Sequence, residues 1–437
     1  MRAVVAVLLL TLTACTDAPA PSPAPDPPVP STAPTAPSTT PSTTPSTTPS
    51  TAPSTDPEPV LAVVGRASEP QLELTRAAYR RIVDGDLDRW RGRAVDVVAL
   101  GEVGPTQVVA TVAGVDPVRD DPRALEMVVG GDLMLVRGVP SAAAALRGVA
   151  GTLRRADLAV ANLESTLSLA GSPTQGGDSF GATPALLGPL RAAGLDVLSL
   201  ANNHAGDYGE RALLQTVQRL SASPIEPVGA GGDLAAASRP AYVERGGVRF
   251  AFVAFNAIGE TPRATPTTPG ALSVRMPPRT GPLVAADLDH VASVVRRAAR
   301  RADVVVALPH WGDQYVHDPE EVQRVVGRRL VRAGADLVVG GHPHWVQGAD
   351  AVAGVPVLHS LGNLVFDMGP DRGFSVEARE GVLLQATFWG AELKAVRLAP
   401  YRMDAETYAP RLLRGAEAAG VLDDVWAAST GPFARAE

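Results

Sequence analysis

Cysteine is almost absent from this sequence, since Cys15 is the only one among 437 residues. The chain therefore cannot form an internal disulfide, and an exported location would not depend on one. Lysine is equally scarce, because Lys394 is the only one and arginine supplies the other basic side chains. The formal net charge is -7, which gives no reason to expect a nucleic-acid partner. The length suffices for one large globular domain with additional segments.

A long apolar run is also missing from the N-terminal region. Residues 3–12 are apolar, but the run is too short to span a bilayer as a helix. Arg2 before the run and Leu-Thr-Ala-Cys at 12–15 after it give the layout of a secretory signal. The ending resembles a bacterial lipobox, which implies that Cys15 is lipidated and that the protein is a membrane lipoprotein exposed outside the cytoplasm. An ordinary cleaved signal is the alternative.

Residues 16–59 consist almost entirely of Pro, Ser, Thr and Ala, with a Thr-Pro-Ser-Thr repeat. Such a segment has little apolar surface to bury, so we expect a disordered linker with polyproline character. At about 3 Å per residue it would reach on the order of 100 Å. Residues 1–15 are thus predicted to be a lipoprotein signal peptide. The linker at 16–59 would hold the domain that follows it away from a membrane.

Three further segments follow the linker. Residues 60–125 contain three short apolar runs and a helical pattern at 75–83, which predict a small α/β accessory segment. Residues 126–400 form the main domain, and residues 401–437 are predicted to be a helical tail. The part of the accessory segment at 74–90 is faintly similar to periplasmic phosphate-binding-type proteins, which leaves solute binding as a minor alternative.

Short, nearly continuous apolar runs recur through the main domain, as expected for strands buried on both faces. Helical patterns lie between them at 185–193, 209–220, 288–301 and 319–333. This alternation predicts a layered α/β architecture. Two hairpins, 242–255 about Gly246-Gly247 and 381–398 about Gly390, indicate mixed rather than purely parallel sheets. The Pro/Thr-rich residues 257–285 are predicted to form a loop over the site.

Six apolar runs end in polar residues suited to chemistry, and in α/β folds ligands bind beyond the carboxyl ends of strands. In one of these motifs, His342 and His344 follow a strand and two glycines. Alternate residues on an extended segment point the same way, so both imidazoles can face one metal ion. The motifs are Gly131-Asp132, Asn162-Leu163-Glu164, Asn202-Asn203-His204, His310-Trp311-Gly312, Gly341-His342-Pro343-His344 and Ser360-Leu361-Gly362-Asn363.

Taken in order, these motifs resemble the CapA family of bacterial capsule and poly-γ-glutamate biosynthesis proteins, which is related to calcineurin-like metallophosphoesterases. The resemblance covers residues 126–400. It implies a four-layer α/β/β/α sandwich of the metallophosphatase type, with mixed sheets and a two-metal site between them.

The resemblance also implies a set of metal ligands. Asp132 and His344 would hold the first metal, Glu164 would bridge the two, and His204 would be the general acid. Asn203, His310 and His342 would hold the second metal. The resemblance thus implies two divalent ions. Because all these ligand atoms are nitrogen or oxygen, manganese, iron, zinc or magnesium are the expected metals.

The sequence departs from the phosphoesterase pattern at two positions. Met134 stands where phosphoesterases carry a second metal-binding histidine, which puts full occupancy of the first metal in doubt, although the CapA family tends to have Met there. Ala205 stands where an acid usually follows the histidine. Asp207 is near enough to orient His204 instead, and the alternative is that it caps the following helix.

Two other polar residues are candidate substrate contacts. Arg137 could clamp an anionic group, or it could be an ordinary surface arginine. Asn363 is a substrate contact or a turn residue.

Two classes of function remain open at this point. The first is a metal-dependent hydrolase of capsule or poly-γ-glutamate biosynthesis, cutting a phosphoester or a γ-glutamyl amide in a polyanionic or cell-wall polymer. The second is a non-catalytic component that binds the polymer or scaffolds an export assembly. The set of ligand-type residues favours the enzyme, because a scaffold would not need them.

Overall fold

The computed structural model of the chain describes residues 60–435. The predicted signal peptide at 1–15, with Cys15, and the predicted linker at 16–59 lie outside the described residues. Among the helices that are described, none combines the length and the apolar character needed to cross a membrane.

The accessory segment is a small sheet with one helix. Its elements are β1 (Leu61–Arg66), β2 (Glu73–Leu74), α1 (Arg76–Val83), β3 (Arg89–Trp90), β4 (Arg93–Ala94), β5 (Asp96–Ala99), β6 (Gln107–Val109) and β7 (Thr111–Val112). Strand β1 lies antiparallel between β5 and β6. The Thr75 side chain accepts a hydrogen bond from the backbone N–H of Ala78 at 3.1 Å, which caps the start of α1.

The main domain contains two large sheets and the helices that cover them. Its strands are β8 (Ala124–Leu133), β9 (Leu158–Leu163), β10 (Thr166–Leu167), β11 (Gly181–Ala182), β12 (Val197–Ser199), β13 (Glu226–Val228), β14 (Ala230–Gly231), β15 (Ala241–Arg245), β16 (Val248–Asn256), β17 (Gly270–Ala271), β18 (Val304–His310), β19 (Leu337–Val339), β20 (Ala349–Val352), β21 (Val355–Leu358), β22 (Asn363–Val365), β23 (Glu380–Trp389), β24 (Glu392–Met403) and β25 (Pro410–Leu412). Its helices are α2 (Ala142–Leu153), α3 (Leu187–Ala193), α4 (Glu210–Ser221), α5 (Leu234–Ala237), α6 (Ala285–Ala299), α7 (Glu321–Arg332) and α8 (Gly415–Ala427).

Both sheets are mixed. The first has the order β13-β12-β9-β8-β23-β24-β25, with β22 also pairing with β8. The second has the order β15-β16-β18-β19-β21-β20. The central strands run parallel in each sheet, whereas the hairpins β15–β16 and β23–β24 are antiparallel. The prediction of two hairpins interrupting a parallel alternation is therefore confirmed.

Three buried apolar layers separate four structural layers. Along β8, Val128 packs toward α2, α3 and α4, whereas Met127 and Val129 pack toward the second sheet. Along β16, Phe252 faces the first sheet, and Val253 faces α6 and α7. Since each central strand buries both faces, it reads as a continuous apolar run in the sequence. The predicted α/β/β/α sandwich with mixed sheets is confirmed.

The helices begin and end within a few residues of the predicted positions. Helix α7 starts after Glu320, whose carboxylate and the Gln323 amide form a reciprocal capping box. Helix α2 was not predicted, although Ser141 is a good N-cap and accepts a hydrogen bond from the Ala144 backbone N–H. The predicted loop at 257–285 includes β17, and its Thr261 side chain accepts a hydrogen bond from the Gly206 N–H at 2.8 Å. Its function as a lid stays a prediction.

The accessory segment packs on the back of the β23–β24 hairpin. The only lysine, Lys394, donates a hydrogen bond to the Gly101 carbonyl at 2.7 Å, and the Trp389 indole N–H donates to the Val118 carbonyl at 2.9 Å. At the other end of the chain, β24 continues to Met403, three residues past the predicted domain boundary at 400. Helix α8 then packs Val421 and Val425 against the layer between the sheets.

Candidate metal centre

The carboxyl ends of parallel strands from both sheets meet at one place. Asp132 lies near the end of β8, Glu164 follows β9, and His310 is the last residue of β18. One possible ligand atom from each of these side chains lies within 4.8 Å of the other two, and all three residues are buried. Carboxylate oxygens and an imidazole nitrogen at this spacing are a donor set that a divalent metal ion accepts.

The other three predicted ligands lie against this triad. The Asn203 side-chain oxygen is 2.9 Å from His310 Nε2. The His342 backbone N–H donates to Asp132 Oδ2 at 2.9 Å, and the His310 and His342 rings are 5.0 Å apart. His344 Nδ1 is 3.7 Å from Asp132 Oδ2. The structure thus brings all six predicted ligands into one pocket, with Glu164 and His310 only 3.5 Å apart.

Asn162 occupies the centre of this cluster, although its side chain was not among the predicted site residues. Its amide nitrogen lies 2.9 Å from Asp132 Oδ1, 3.0 Å from Glu164 Oε1 and 3.3 Å from His310 Nδ1. The Asn202 amide fixes its orientation by donating to Asn162 Oδ1 at 2.8 Å. The sequence contained a signal for Asn162, because it lies two residues before Glu164 at the end of a strand. Residues two apart on a strand share a face.

Burial dominates the electrostatics of the two carboxylates. It raises the pKa of Asp132 to about 6, although hydrogen bonds from Asn162 and the His342 backbone act in the opposite direction. Burial and then the negative charge of Asp132 raise the pKa of Glu164 well above its ordinary value. Two adjacent buried carboxylates without a compensating cation are unfavourable, so the pair is a place where a positive ion is stabilised.

The histidines are held neutral, as metal ligands must be. Burial lowers the pKa of His310 and of His342 well below the usual value, and it lowers the pKa of His344 to about 4. Buried polar atoms nearly always have partners, yet Glu164 Oε2 and both ring nitrogens of His342 have none among the described residues. These unpaired atoms and the donor chemistry fit a bound metal.

Met134 is buried in the apolar layer under the helices. Its sulfur lies 3.4 Å from the Val136 backbone N–H. The nitrogen ligand that phosphoesterases place there is therefore missing from this side of Asp132, as the sequence predicted.

The backbone around the cluster is packed closely and strained. A side chain at Gly341 would put its Cβ 2.6 Å from Asp132 Oδ1, so only glycine allows the carboxylate to lie there. His342 and His344 have φ values of 98° and 61°, and Arg137 and Tyr315 beside them have 59° and 62°. Positive φ is unfavourable for these residue types, and strained backbone of this kind is a feature of functional sites.

His204 lies beside the cluster and is oriented from behind. Its Nδ1 is 2.9 Å from Asp207 Oδ2, and its ring stacks on Phe180 with a centroid separation of 3.9 Å. The two interpretations of Asp207 are resolved, because the N-cap of α4 is Gly209 and Asp207 makes no capping contact there. Asp207 is fully buried and holds the imidazole.

A loop between β10 and β11 fixes this pair and was not found from the sequence. The Phe180 backbone N–H donates to Asp207 Oδ2 at 2.6 Å, and the Gln175 amide donates to Asp207 Oδ1 and to the Asn203 carbonyl. The Thr174 backbone N–H donates to the Asp207 carbonyl at 2.8 Å. Contacts between residues about thirty positions apart leave no local pattern.

The two predicted substrate contacts differ in their surroundings. Arg137 forms a bidentate ion pair with Asp367, lies over the Phe180 ring at 4.7 Å and keeps Nη1 toward Asp178, whose side chain is 79% exposed. Its contact with substrate stays a prediction. Asn363 is fully buried, its side-chain oxygen accepts from His344 Nδ1 at 2.8 Å, and its amide donates to the Ala378 carbonyl. It therefore orients His344, and its contact with substrate stays a prediction.

Comparison with known proteins agrees with this arrangement. Residues 126–368 match the family model described as bacterial capsule synthesis protein PGA_cap. This region is more than half of the chain and contains every residue of the cluster, so the chain belongs to this family. The recognition made from the motifs is confirmed.

Relatives in other bacteria are similar over part of their length. The PGA biosynthesis protein CapA of Bacillus subtilis is 34% identical over 198 residues, which are 45% of this chain and 48% of that protein. The capsule biosynthesis protein CapA of Bacillus anthracis is 31% identical over 287 residues, which are 63% of this chain and 67% of that protein. A probable polyglutamine synthesis accessory protein of Mycobacterium tuberculosis is 30% identical over 256 residues, 56% and 66% of the two chains. This chain therefore spans about half of the first relative and two thirds of the others.

Among solved structures, a hypothetical protein from Thermus thermophilus aligns with a TM-score of 0.41 at 16% identity, over 64% of this chain and 99% of that one. A putative 5'-nucleotidase from Staphylococcus aureus aligns with a TM-score of 0.40 at 13% identity, over 68% of this chain and 57% of that one.

Proposed function

We propose that this protein is a metal-dependent hydrolase of capsule or poly-γ-glutamate biosynthesis. The observation that carries the proposal is the buried triad of Asp132, Glu164 and His310, with ligand atoms within 4.8 Å of one another. The additional unpaired atoms of Glu164 and His342 support it, because a purely structural cluster would have its buried polar atoms paired.

Two divalent ions are the proposed cofactors, with Asp132 and His344 on one side, Asn203, His310 and His342 on the other and Glu164 between them. The absence of thiolate ligands is compatible with manganese, iron, zinc or magnesium. Such ions supply Lewis acidity and lower the pKa of water. Asn162 would keep the two carboxylates and His310 in register through the contacts at 2.9, 3.0 and 3.3 Å.

His204 is the proposed general acid. Its Nδ1 faces the Asp207 carboxylate, so Nε2 is the nitrogen that can carry a proton to a leaving group. The Phe180 ring against one face and Asp207 behind restrict the imidazole to one orientation. A positioned acid of this kind protonates the departing oxygen or nitrogen as the bond breaks.

The proposed substrate is a polyanionic chain, either a γ-glutamyl polymer cut at its amide or a cell-wall polymer cut at a phosphoester. Arg137 is the proposed contact for an anionic group of the substrate, because Asp367 fixes its guanidinium over the Phe180 ring, on which His204 also stacks. The names of the Bacillus relatives point to the same polymer class. The net charge of -7 gives no reason to propose nucleic acid as a partner.

The proposal is tested by metal analysis of the purified full chain together with a hydrolase screen. We expect bound divalent metal and hydrolysis of nitrophenyl phosphate esters or of γ-glutamyl peptides, with Asp132→Asn losing both. A wild-type protein without bound metal and without activity on either substrate class would leave the polymer-binding or scaffold function as the better explanation.

The proposed location is the outer side of the cell membrane, through lipid on Cys15. Leu-Thr-Ala-Cys at 12–15 followed by the Pro/Thr-rich segment is the observation behind it. Cys15→Ser should abolish incorporation of labelled fatty acid and move the protein from the membrane fraction to the soluble one, because no other cysteine can accept the lipid. Unlabelled wild-type protein would show that the segment is an ordinary signal.

A further inference from the structure

A cavity of about 530 Å³ lies between helix α6 and residues 238–240, which connect α5 to β15. None of its lining residues is among the predicted metal ligands. Arg301, which lines the cavity, precedes β18 by three residues, whereas His310 at the far end of this strand belongs to the metal centre. A strand of seven residues is about 20 Å long, so the cavity and the metal centre are separate sites.

The lining of this cavity is strongly basic. Four arginines line it, and no aspartate or glutamate does. They are Arg239, Arg297, Arg300 and Arg301. A fifth, Arg249, lies over the ring of the lining residue Tyr242, at 4.6 Å from its centroid. Positive charge is thus concentrated at one place in a chain whose net charge is -7.

The four lining arginines are exposed and have no carboxylate partner. Among residues 60–435, no ion pair includes any of them. Arg297 instead donates to the Ser293 hydroxyl at 2.9 Å. Their guanidinium groups therefore keep most of their donors for an anion that enters from solvent.

The end of a helix explains only part of this arrangement. Basic side chains near a helix C-terminus are stabilised by the helix dipole, which accounts for Arg297 and Arg300 at the end of α6. Arg239 and Arg249 belong to other elements, and the fold brings them to the same place. A cleft lined by charges of one sign focuses its potential and concentrates ions of the opposite sign, so this cavity selects anions.

We propose that this arginine-lined cavity is a second binding site, separate from the metal centre, for a polymer that carries one anionic group on each unit. Arginine pairs with carboxylate and with phosphate in the same bidentate way. Several arginines together favour a chain over a single small anion, because linked groups bind as one multivalent ligand. The choice of a γ-glutamyl chain as the first such polymer to test rests on the proposed function.

The surroundings of the cavity favour a polymer over a membrane or a nucleic acid. Surfaces that bind membranes combine basic with exposed apolar side chains, whereas none of the exposed large apolar residues in the described part of the chain lines this cavity. Proteins that bind single-stranded nucleic acid offer aromatic rings for stacking. The ring of Tyr242 is the aromatic side chain available here, and Arg249 already covers it.

The test titrates labelled poly-γ-glutamate into the full chain, with EDTA present so that metal does not contribute. The polymer should bind at least about 100-fold more tightly than free glutamate. A rise in salt from about 0.05 M to about 0.5 M should weaken this binding about tenfold or more, because exposed charges are screened. Polyphosphate, titrated in parallel, identifies which anion is preferred. Absence of binding to both polymers would overturn the proposal, as would tighter binding to phosphatidylglycerol vesicles or to single-stranded DNA.

A double variant locates the site. Replacement of Arg297 and Arg300 by glutamine removes two charged donors, and each loss should weaken polymer binding about tenfold, so about 100-fold together. Arg191→Gln is the matched control, since this exposed arginine lies in the last turn of α3, which covers the first sheet, and the change should leave polymer affinity as in wild type. Unchanged polymer affinity in a double variant with the thermal midpoint of wild type would contradict the assignment.

The same proteins separate this site from the proposed function. Hydrolysis of short γ-glutamyl peptides by the wild-type protein depends on the metal centre and is measured without polymer. If the polymer bound through the arginines but wild type hydrolysed nothing, the second site would stand and the hydrolase would fail. If wild type hydrolysed the peptides but the double variant bound polymer as tightly as wild type, the second site alone would fail.

Discussion

Replacement of His204 by alanine should slow hydrolysis about 10²- to 10⁴-fold and leave the metal content unchanged. The reason is geometric: His204 contacts Asp207 and Phe180, whereas the triad of Asp132, Glu164 and His310 does not depend on it. His310→Ala should instead remove metal, because it deletes a member of the triad. Metal content by mass spectrometry and rates on one substrate separate the two effects.

The leaving group provides the second part of this prediction. A nitrophenyl leaving group departs without protonation, so the loss of activity in His204→Ala should shrink on nitrophenyl esters and persist on alkyl esters or amides. His290→Ala is the matched control, since this histidine lies on α6 and contacts Ser238 instead of the metal cluster. Loss of metal in His204→Ala would show that His204 is a ligand, and an equal loss of rate on both classes of substrate would exclude it as the general acid.

The layers of the fold were predictable because the central strands bury both faces. Val128 packs against helices and Val129 against the other sheet, which leaves a continuous apolar run in the sequence. The hairpins were predictable because Gly246-Gly247 and Gly390 turn with positive φ, which is accessible to glycine at low cost. The architecture follows from such local signals with little further information.

The site residues that follow a strand could be predicted from the sequence. The site residues that lie on loops could not. Asp132, Glu164 and His310 are all at the carboxyl ends of parallel strands, where chemistry is expected in α/β folds. Gln175 lies on a loop and donates to Asp207, which is thirty-two residues further along the chain. A contact of this kind has no periodic pattern in the sequence that could predict it.

Asn363 shows a different limit. Its place in the motif Ser360-Leu361-Gly362-Asn363 identified it as part of the site. The residue type alone, however, cannot distinguish an amide that binds substrate from one that orients a neighbouring histidine. Only the 2.8 Å contact with His344 Nδ1 in the structure shows that the Asn363 amide orients this histidine.

Removal of bound metal should lower the midpoint of thermal unfolding, and Glu164→Gln should abolish that dependence. A ligand present at about 1,000 times its Kd stabilises the folded state by about 4 kcal/mol, which corresponds to a shift on the order of 5–10 °C. Without metal, the burial of the Asp132 and Glu164 carboxylates opposes folding, because burial is the main cause of the raised pKa of each group.

Glu164→Gln removes one of these charges while preserving the side-chain shape, so its metal-free form should unfold at a higher temperature than metal-free wild type, yet gain nothing from added manganese or zinc. Glu226→Gln changes an exposed glutamate of β13 and should behave like wild type with and without chelator. Thermal scans at one heating rate, with and without EDTA, measure all three proteins. If Glu164→Gln retained the full metal-dependent shift, Glu164 would not be a ligand, and the cation would have to be held by Asp132 and the histidines alone.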